Sequence, residues 1–167
     1  MDIATVDLEA VLRQEYEPVL TAIAGCPLPT IAAVNGAAVN GAGVGAGAGL
    51  ALSCDVVIAA ESASFAQSFT RIGLEPDAGG SYWLPRQVGL ARAMGAMLFG
   101  EKVSARQAAD WGMIWKAVPD DAFAAHWQAR AAALAAGLGL ACRGVKQALR
   151  ASFRNDYAGQ LALEARL

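Results

Sequence analysis

The apolar positions of residues 7–24 recur at the spacing of a helix. After Leu8 and Leu12, an apolar side chain follows every third or fourth residue as far as Ile23, which places these side chains on one face. Pro18 lacks a backbone N–H group and is expected to kink this helix. The pattern therefore predicts one amphipathic helix over residues 7–24.

Further along the chain the pattern changes to short, continuous apolar runs, which are typical of buried strands. The clearest runs are residues 30–34 and 55–60, and residues 62–65 and 113–118 predict two more strands. Between the first two runs lie a glycine-rich turn and a stretch that predicts a helix. Strand, turn, helix and strand in this order form a βαβ unit, whose strands are parallel.

The second half of the chain is dominated by helical patterns that end at glycine or proline. Ser104 and Gln107 have the spacing of a capping box, which marks the start of one of these helices. Gly100 is expected to end the helix before it. The predicted helices cover residues 78–88, 91–99, 104–111 and, with an interruption near 137–139, about 122–167.

A five-residue block, Ala-Ala-Val-Asn-Gly, occurs twice in succession, at residues 32–36 and 37–41. The first copy continues the strand predicted at residues 30–34. Because five is odd, sliding the strand by one block would turn its inward side chains outward, so both copies cannot hold the native register. We expect one copy in the strand and the other looped out, and deletion of residues 37–41 to stabilise the fold.

The composition describes one heavily buried domain. The chain has 167 residues, of which 56% are hydrophobic and 17% are charged, enough for one substantial core but not for two domains. The formal net charge of −2 gives no electrostatic basis for binding nucleic acid or an acidic membrane surface. We therefore expect neither of them as a partner.

The cysteines and the N-terminal segment provide evidence about the cellular compartment of the protein. Cys26, Cys54 and Cys142 are widely spaced and odd in number, so neither a disulfide framework nor a metal site is predicted. The N-terminal segment has early acidic residues and lacks the basic region of a targeting signal. The uncharged stretch 36–54 consists mostly of Gly and Ala and is too weakly hydrophobic to favour a membrane span. These features predict a cytoplasmic protein.

Glycines alternate with other residues from Gly41 to Gly49, directly before a predicted helix. Such a backbone can approach a ligand closely, and the amides at the start of the helix favour an anion or a developing oxyanion. The spacing does not fit the dinucleotide fingerprint, and the lysine of a phosphate-binding loop is missing. Close packing of helices is an alternative interpretation that the composition supports equally well.

Asp77 follows a proline and precedes two glycines and a predicted helix. This local pattern ordinarily indicates an N-cap. The alternative is a carboxylate at the edge of an apolar pocket, where burial raises its pKa and lets it carry protons. The single histidine, His126, lies in an Ala-rich helix without a nucleophile motif or a second metal ligand, and a structural role is predicted for it.

The order of these segments resembles a known family. PTIAAVNG, a Gly/Ala-rich turn, LALSCDVVIAAESASF and then IGLEPDAGGSYWLPRQVGLARAMGAMLFGEKVSARQAADWGMIWKAV are similar to the enoyl-CoA hydratase/isomerase (crotonase) superfamily, above all to its 1,2-epoxyphenylacetyl-CoA isomerases. The resemblance implies an α/β fold with a partial crotonase-like ββα spiral over residues 1–120. A helical C-terminal region over residues 121–167 would then support homo-oligomers, either trimers or dimers of trimers.

The same resemblance implies a substrate and a site. The substrate would be an acyl-CoA thioester, with coenzyme A as part of the substrate and no separate cofactor. The backbone amide of Ala46 would be one donor of the oxyanion hole, where negative charge develops on the thioester oxygen. Asp77 would be the catalytic acid and base. Gly45, Phe69 and Leu74 would contact the substrate.

The resemblance also separates the reactions of this superfamily. Its hydratases carry glutamates where this chain has Gly49 and Phe69, so addition of water by two carboxylates is disfavoured. An isomerase acting on 1,2-epoxyphenylacetyl-CoA or an enoyl-CoA through the single carboxylate of Asp77 is predicted instead. Members of the family are longer, and the resemblance implies that their N-terminal part and C-terminal tail are missing here. A catalytically incompetent, truncated subunit and an enoyl-CoA hydratase remain as alternatives.

Overall fold

The computed structural model describes residues 7–40, 46–137 and 139–167. The predicted N-terminal helix is present in three connected pieces: α1 (Leu8–Val11), a π-helical stretch (Leu12–Tyr16) and α2 (Glu17–Gly25). Pro18 comes just after the π-helical stretch, and its missing N–H group accounts for the break in regular hydrogen bonding. The structure therefore shows the predicted helix with a change of helix type just before Pro18.

The strands of the described residues form two three-stranded sheets. They are β1 (Ile31–Val34), β2 (Ala37–Asn40), β3 (Val56–Ala60), β4 (Ser64–Gln67), β5 (Val103–Ser104) and β6 (Lys116–Val118). The first sheet has the order β1-β3-β6 and the second the order β2-β4-β5. The predicted strands are thus all present, and the predicted parallel pairing of β1 with β3 is confirmed.

Consecutive strands are divided between the two sheets and are followed by a helix. The strands β1 and β2 lead into α3 (Gly47–Ser53), and β3 and β4 lead into a 3₁₀ turn (Phe69–Ile72) and α4 (Gly80–Val88). Each such ββα turn adds one strand to each sheet. The strand β5, antiparallel to β4, and the strand β6, parallel to β3, complete the two sheets. This is the spiral arrangement that the sequence predicts.

Both copies of the duplicated block form strands, so the expectation that one copy loops out is wrong. The first copy belongs to β1, which pairs with β3 from Ile31 opposite Val56 onward. The second copy supplies the whole of β2, which pairs with β4 in the other sheet. Gly36 lies between them with a φ of +142°, a conformation that favours glycine. The register argument fails because the two copies never compete for one partner strand.

Helices make up most of the remaining chain. Ser104 accepts a hydrogen bond from the backbone N–H of Gln107 at 3.2 Å, which confirms the predicted N-cap. Gly100 ends the helix α5 (Leu90–Phe99) with a φ of +59°. No helix within the described ranges combines the length and apolar character needed to span a bilayer. The helices are α3 (Gly47–Ser53), α4 (Gly80–Val88), α5 (Leu90–Phe99), α6 (Ala105–Asp110), α7 (Asp120–Ala136), α8 (Gly139–Ser152) and α9 (Tyr157–Glu164).

The core lies around β3 and β4, where α3, α4 and α6 pack against the sheets. Its largest fully buried apolar side chains are those of Leu52, Ile58, Phe65 and Leu84. Half of the other core positions are alanines, whose small side chains let helices and strands approach closely. The tight packing fixes α3 and the beginning of α4 relative to each other.

Asp55 joins the first sheet to the C-terminal helices. Its carboxylate accepts hydrogen bonds from the backbone N–H and the hydroxyl of Thr30, at 2.8 and 2.9 Å, and pairs with Lys146 and Arg150 of α8, at 2.6 and 2.7 Å. Burial by itself raises the pKa of Asp55, but the hydrogen bonds from Lys146 and Thr30 and the charge of Arg150 outweigh it and lower the pKa. Asp55 therefore stays ionised and holds α8 against the start of β1 and β3.

Deletion of residues 37–41 now has the opposite expected result. The sequence after Gly36 becomes Ala-Gly-Val-Gly, so two glycines enter the position of β2. Each glycine in a strand costs about 0.5–1 kcal/mol, and the deletion should lower the free energy of unfolding by about 1–2 kcal/mol. Chemical denaturation of both proteins measures this difference. A more stable deletion variant would contradict the strand assignment of the second copy.

Candidate active site

Ala46 stands at the N-terminal end of α3. It is 7% exposed and occupies the N-cap position, where its carbonyl accepts a hydrogen bond from the N–H of Leu50 at 2.9 Å. The N–H groups at such a helix start are not used by the helix itself and lie at the positive end of its dipole. Gly45, the predicted substrate contact just before it, lies outside the described residues.

Asp77 lies in a tight turn that leads into α4. Its carbonyl accepts a hydrogen bond from the N–H of Gly80 at 2.9 Å. The two residues between them, Ala78 and Gly79, both have left-handed backbones, with φ values of +49° and +75°. For an alanine this conformation costs about 1–2 kcal/mol. Strained residues of this kind are found preferentially at functional sites.

The structure contradicts the interpretation of Asp77 as an N-cap. The N-cap of α4 is Gly79, whose carbonyl accepts hydrogen bonds from the N–H groups of Tyr82 and Trp83, both at 3.0 Å. The local pattern misled because the two left-handed residues move the helix start beyond the reach of the Asp77 side chain. That carboxyl group is half-buried, and burial raises its pKa.

The first turn of α3 touches the Asp77 turn directly. A Cβ atom added to Gly49 would lie 2.3 Å from the carbonyl oxygen and 2.8 Å from the Cβ atom of Ala78. These distances are below any ordinary contact, so only glycine fits at this position while the turn keeps its conformation. The contact brings the residue next to Asp77 against the helix that begins after Ala46. It also leaves no room for a glutamate at position 49.

The other predicted substrate contacts differ in exposure. Phe69 is 2% exposed and begins the 3₁₀ turn that follows β4. Leu74 is 41% exposed, and its N–H donates to the carbonyl of Phe69 at 3.0 Å. Phe69 therefore forms part of the packed interior between β4 and the Asp77 loop, and Leu74 lies on the outside of the same loop.

Gln67 belongs to this region, although it is absent from the predicted site residues. It is the last residue of β4 and is 2% exposed. Its side-chain oxygen and nitrogen would lie 3.1 and 3.3 Å from a Cβ atom added to Gly80, so the amide packs against the start of α4. The only sequence signal was a long polar side chain immediately after an apolar run.

Trp83 supports the Asp77 turn from the other side. Atoms Cδ1 and Nε1 of its indole would lie 3.4 Å from a Cβ atom added to Gly79. The guanidinium carbon of Arg150 lies 5.7 Å from the centre of the indole ring, within cation–π distance. Trp83 therefore packs against both the Asp77 turn and Arg150 of α8.

His126 has the environment of a structural residue. Its ring centre lies 6.3 Å from that of Trp115. Partial desolvation and the positive charges of Lys116 and Arg130 lower its pKa, which favours the neutral ring. Among the residues that the structure describes, no group of His, Cys, Asp and Glu side chains is arranged to hold a metal ion.

The ββα spiral, with the Asp77 turn packed against the first turn of α3, is that of a crotonase-like protein. Sequence comparison identifies the family to which the chain belongs. A family model described as enoyl-CoA hydratase/isomerase matches residues 2–167, and the chain belongs to this family. It is 63% identical to a "probable enoyl-CoA hydratase" of Rhodobacter capsulatus, over 96% of this chain and 61% of that protein. It is 46% identical to the 1,2-epoxyphenylacetyl-CoA isomerase of Escherichia coli, over 95% and 58% of the two chains.

Solved structures confirm the fold. A Mycobacterium abscessus protein described as a "putative Enoyl-CoA hydratase/isomerase" matches with a TM-score of 0.88 and 36% identity, over 95% of this chain and 59% of that one. A Thermobifida fusca relative, described in complex with acetoacetyl-CoA, matches with a TM-score of 0.75 and 35% identity, over 81% and 51% of the two chains. The chain therefore spans less than two thirds of the length of these relatives.

Replacement of Gly49 by alanine tests the contact between α3 and the Asp77 turn. Because the new methyl group meets the Ala78 carbonyl, Gly49→Ala should lower the free energy of unfolding by about 1–3 kcal/mol. Gly95→Ala in α5 is a matched control, since a Cβ atom there has no neighbour within 4 Å. This control should gain about 0.5–1 kcal/mol from helix propensity. Equal stabilisation by both substitutions, measured by urea unfolding, would rule the contact out.

Proposed function

We propose that this chain carries the acid–base site of a crotonase-type enzyme that acts on acyl-CoA thioesters. Coenzyme A is part of the substrate in this proposal, and no separate cofactor is required. The observation that carries it is the contact of Gly49 with Ala78. Ala78 follows Asp77, whose carboxyl group is half-buried, and Gly49 lies in α3, which begins directly after the buried residue Ala46. The contact therefore places the Asp77 turn beside the start of α3. The complex of the Thermobifida fusca relative with acetoacetyl-CoA supports the substrate class.

In the proposed mechanism the N–H of Ala46 donates a hydrogen bond to the thioester oxygen. Removal of a proton next to the carbonyl places negative charge on that oxygen, and a fixed donor stabilises the charge as it develops. Asp77 takes the proton and returns it to another carbon of the acyl group. Burial raises the pKa of Asp77, which strengthens the carboxylate as a base and suits a group that must both accept and release a proton.

We favour isomerisation over hydration because, at the two positions where hydratases of this family carry glutamates, this chain has Gly49 and Phe69. A hydratase of the two-carboxylate type needs a second acid, yet position 49 has no space for a side chain and position 69 holds a buried phenylalanine. The proposed substrate is 1,2-epoxyphenylacetyl-CoA or an enoyl-CoA, which would place the protein in phenylacetate or fatty acid breakdown. The isomerase of Escherichia coli, at 46% identity, supports this choice.

Enoyl-CoA hydration is the second candidate. It is favoured by the name of the Rhodobacter capsulatus relative, a probable enoyl-CoA hydratase at 63% identity. The two candidates differ in one chemical requirement, since hydration adds a water molecule to the substrate and isomerisation moves a proton between carbons without adding water. A direct assay of both reactions therefore separates them.

We further propose that the chain forms a cytoplasmic homo-oligomer, a trimer or a dimer of trimers. Large apolar side chains of the C-terminal region are exposed to solvent, and exposed apolar surface can mark interaction sites. Burial of this surface between copies would stabilise the assembly. The exposed side chains are Leu140, Val145, Leu149, Phe153, Tyr157, Leu161 and Leu167.

Incubation with phenylacetyl-CoA in D₂O tests the proposed reaction. Proton removal at the α-carbon should introduce deuterium, which mass spectrometry of the thioester detects. The exchange rate should rise with pH through a pKa above the ordinary value for Asp, because the ionised form of Asp77 is the base.

Hydration of crotonyl-CoA, followed by loss of its absorbance, is the parallel assay. We expect exchange to be faster than hydration. Faster hydration would favour the hydratase instead. Absence of both reactions and of CoA binding by calorimetry would favour a subunit that only associates with related chains.

A further inference from the structure

Positive charge is concentrated in a cleft that the proposed function does not use. The cleft has a volume of about 680 Å³ and lies between the C-terminal end of α2 and the helices α8 and α9. We refer to it as the basic cleft. Its lining contains five cationic side chains, those of Arg143, Lys146, Arg150, Arg154 and Arg166.

The spacing of these residues explains the concentration. Arg143, Lys146, Arg150 and Arg154 follow one another at intervals of three or four residues, which places them along one side of a helix. Arg166 reaches the same cleft from the segment that follows α9. A hydrogen bond from the Gln160 side chain to the carbonyl of Ala148, at 3.1 Å, holds α9 against α8.

The basic cleft has little negative charge of its own. None of its lining residues is acidic, and the one carboxylate that pairs with its cations in the described ranges is Asp55, which contacts Lys146 and Arg150. Five positive charges therefore face one negative charge, an excess of four. The whole chain has a net charge of −2, so this excess is local.

Three of the arginines are available to a ligand. Arg143, Arg154 and Arg166 are exposed and form no ion pair with any residue that the structure describes. Guanidinium groups match the oxygens of phosphate with two parallel hydrogen bonds. Gln147 and Asn155 add uncharged polar groups to the lining. The volume lies within the range of small-molecule sites, roughly 300–1,000 Å³.

We propose that the basic cleft binds a small polyphosphate anion of nucleotide size. Several phosphate groups are needed to balance four excess charges, and a single carboxylate or chloride ion would leave most of them unpaired. The proposal does not depend on the acyl-CoA reaction. The anion can be a free nucleotide or polyphosphate, or the phosphate-bearing end of a coenzyme A molecule, since these share the same chemistry.

Binding in the basic cleft has an internal optical reporter. Arg150 lines the cleft, and its guanidinium carbon lies 5.7 Å from the centre of the Trp83 ring. An anion bound to Arg150 changes the electric field at this indole, and the tryptophan fluorescence should change with it. The variant Trp83→Phe should lose this signal and retain binding in calorimetry.

Titration of the full chain with inorganic triphosphate, followed by fluorescence and calorimetry at physiological salt, tests the proposal. We expect saturable binding that weakens at least tenfold in Arg154→Gln/Arg166→Gln. Arg13→Gln/Arg130→Gln removes the same charge from exposed positions outside the cleft and should bind as the unchanged protein does. No binding by the unchanged protein, or equal weakening in both double variants, would overturn the proposal.

Competition experiments identify the source of the anion. Displacement of triphosphate by free coenzyme A, but not by its dephosphorylated pantetheine part, would assign the cleft to the nucleotide end of coenzyme A. Displacement by ATP with no effect of coenzyme A would assign it to a free nucleotide. Displacement by pantetheine would contradict recognition of phosphate.

Discussion

The contact between Gly49 and the backbone of Ala78 is the constraint on which the candidate site depends. With no side chain at position 49, the first turn of α3 lies so close to the Asp77 turn that a Cβ atom added to Gly49 would be 2.3 Å from the Ala78 carbonyl oxygen. The Asp77 turn holds Ala78 in a left-handed backbone conformation. Trp83 packs against the same turn at Gly79. Close packing thus places Asp77 and simultaneously excludes a second carboxylate at position 49.

The ββα spiral supplies the frame in which this contact forms. Gly36 lets the chain pass from one sheet to the other, so the duplicated block provides one strand to each sheet. Asp55 ties Thr30, Lys146 and Arg150 together, which joins the first sheet to the C-terminal helices. The same helices expose large apolar side chains and line the basic cleft, two features that we propose serve different kinds of partner.

Local sequence patterns were sufficient to predict the helices and strands, but they were not sufficient to predict how these elements are arranged in space. Apolar runs and the cap at Ser104 depend on neighbours in sequence, and the structure confirms them. The division of the two repeated strands between sheets depends on long-range pairing, which a register argument within one sheet does not include. The N-cap that the local pattern indicated at Asp77 is absent, because the left-handed backbone of Ala78, which leaves no sequence signal, moves the start of α4 to Gly79. The net charge of the chain likewise conceals the basic cleft, because opposite charges elsewhere cancel it.

Deuterium exchange by Asp77→Asn, compared with the unchanged protein, is the most direct test of the central claim that Asp77 moves the proton. Burial raises the pKa of this carboxyl group, so its ionised form costs stability in the fold, and a neutral amide removes that cost. The account predicts a variant that melts at the same or a higher temperature and exchanges the α-proton of phenylacetyl-CoA at least about a hundredfold more slowly. An unchanged exchange rate in the folded variant would contradict it.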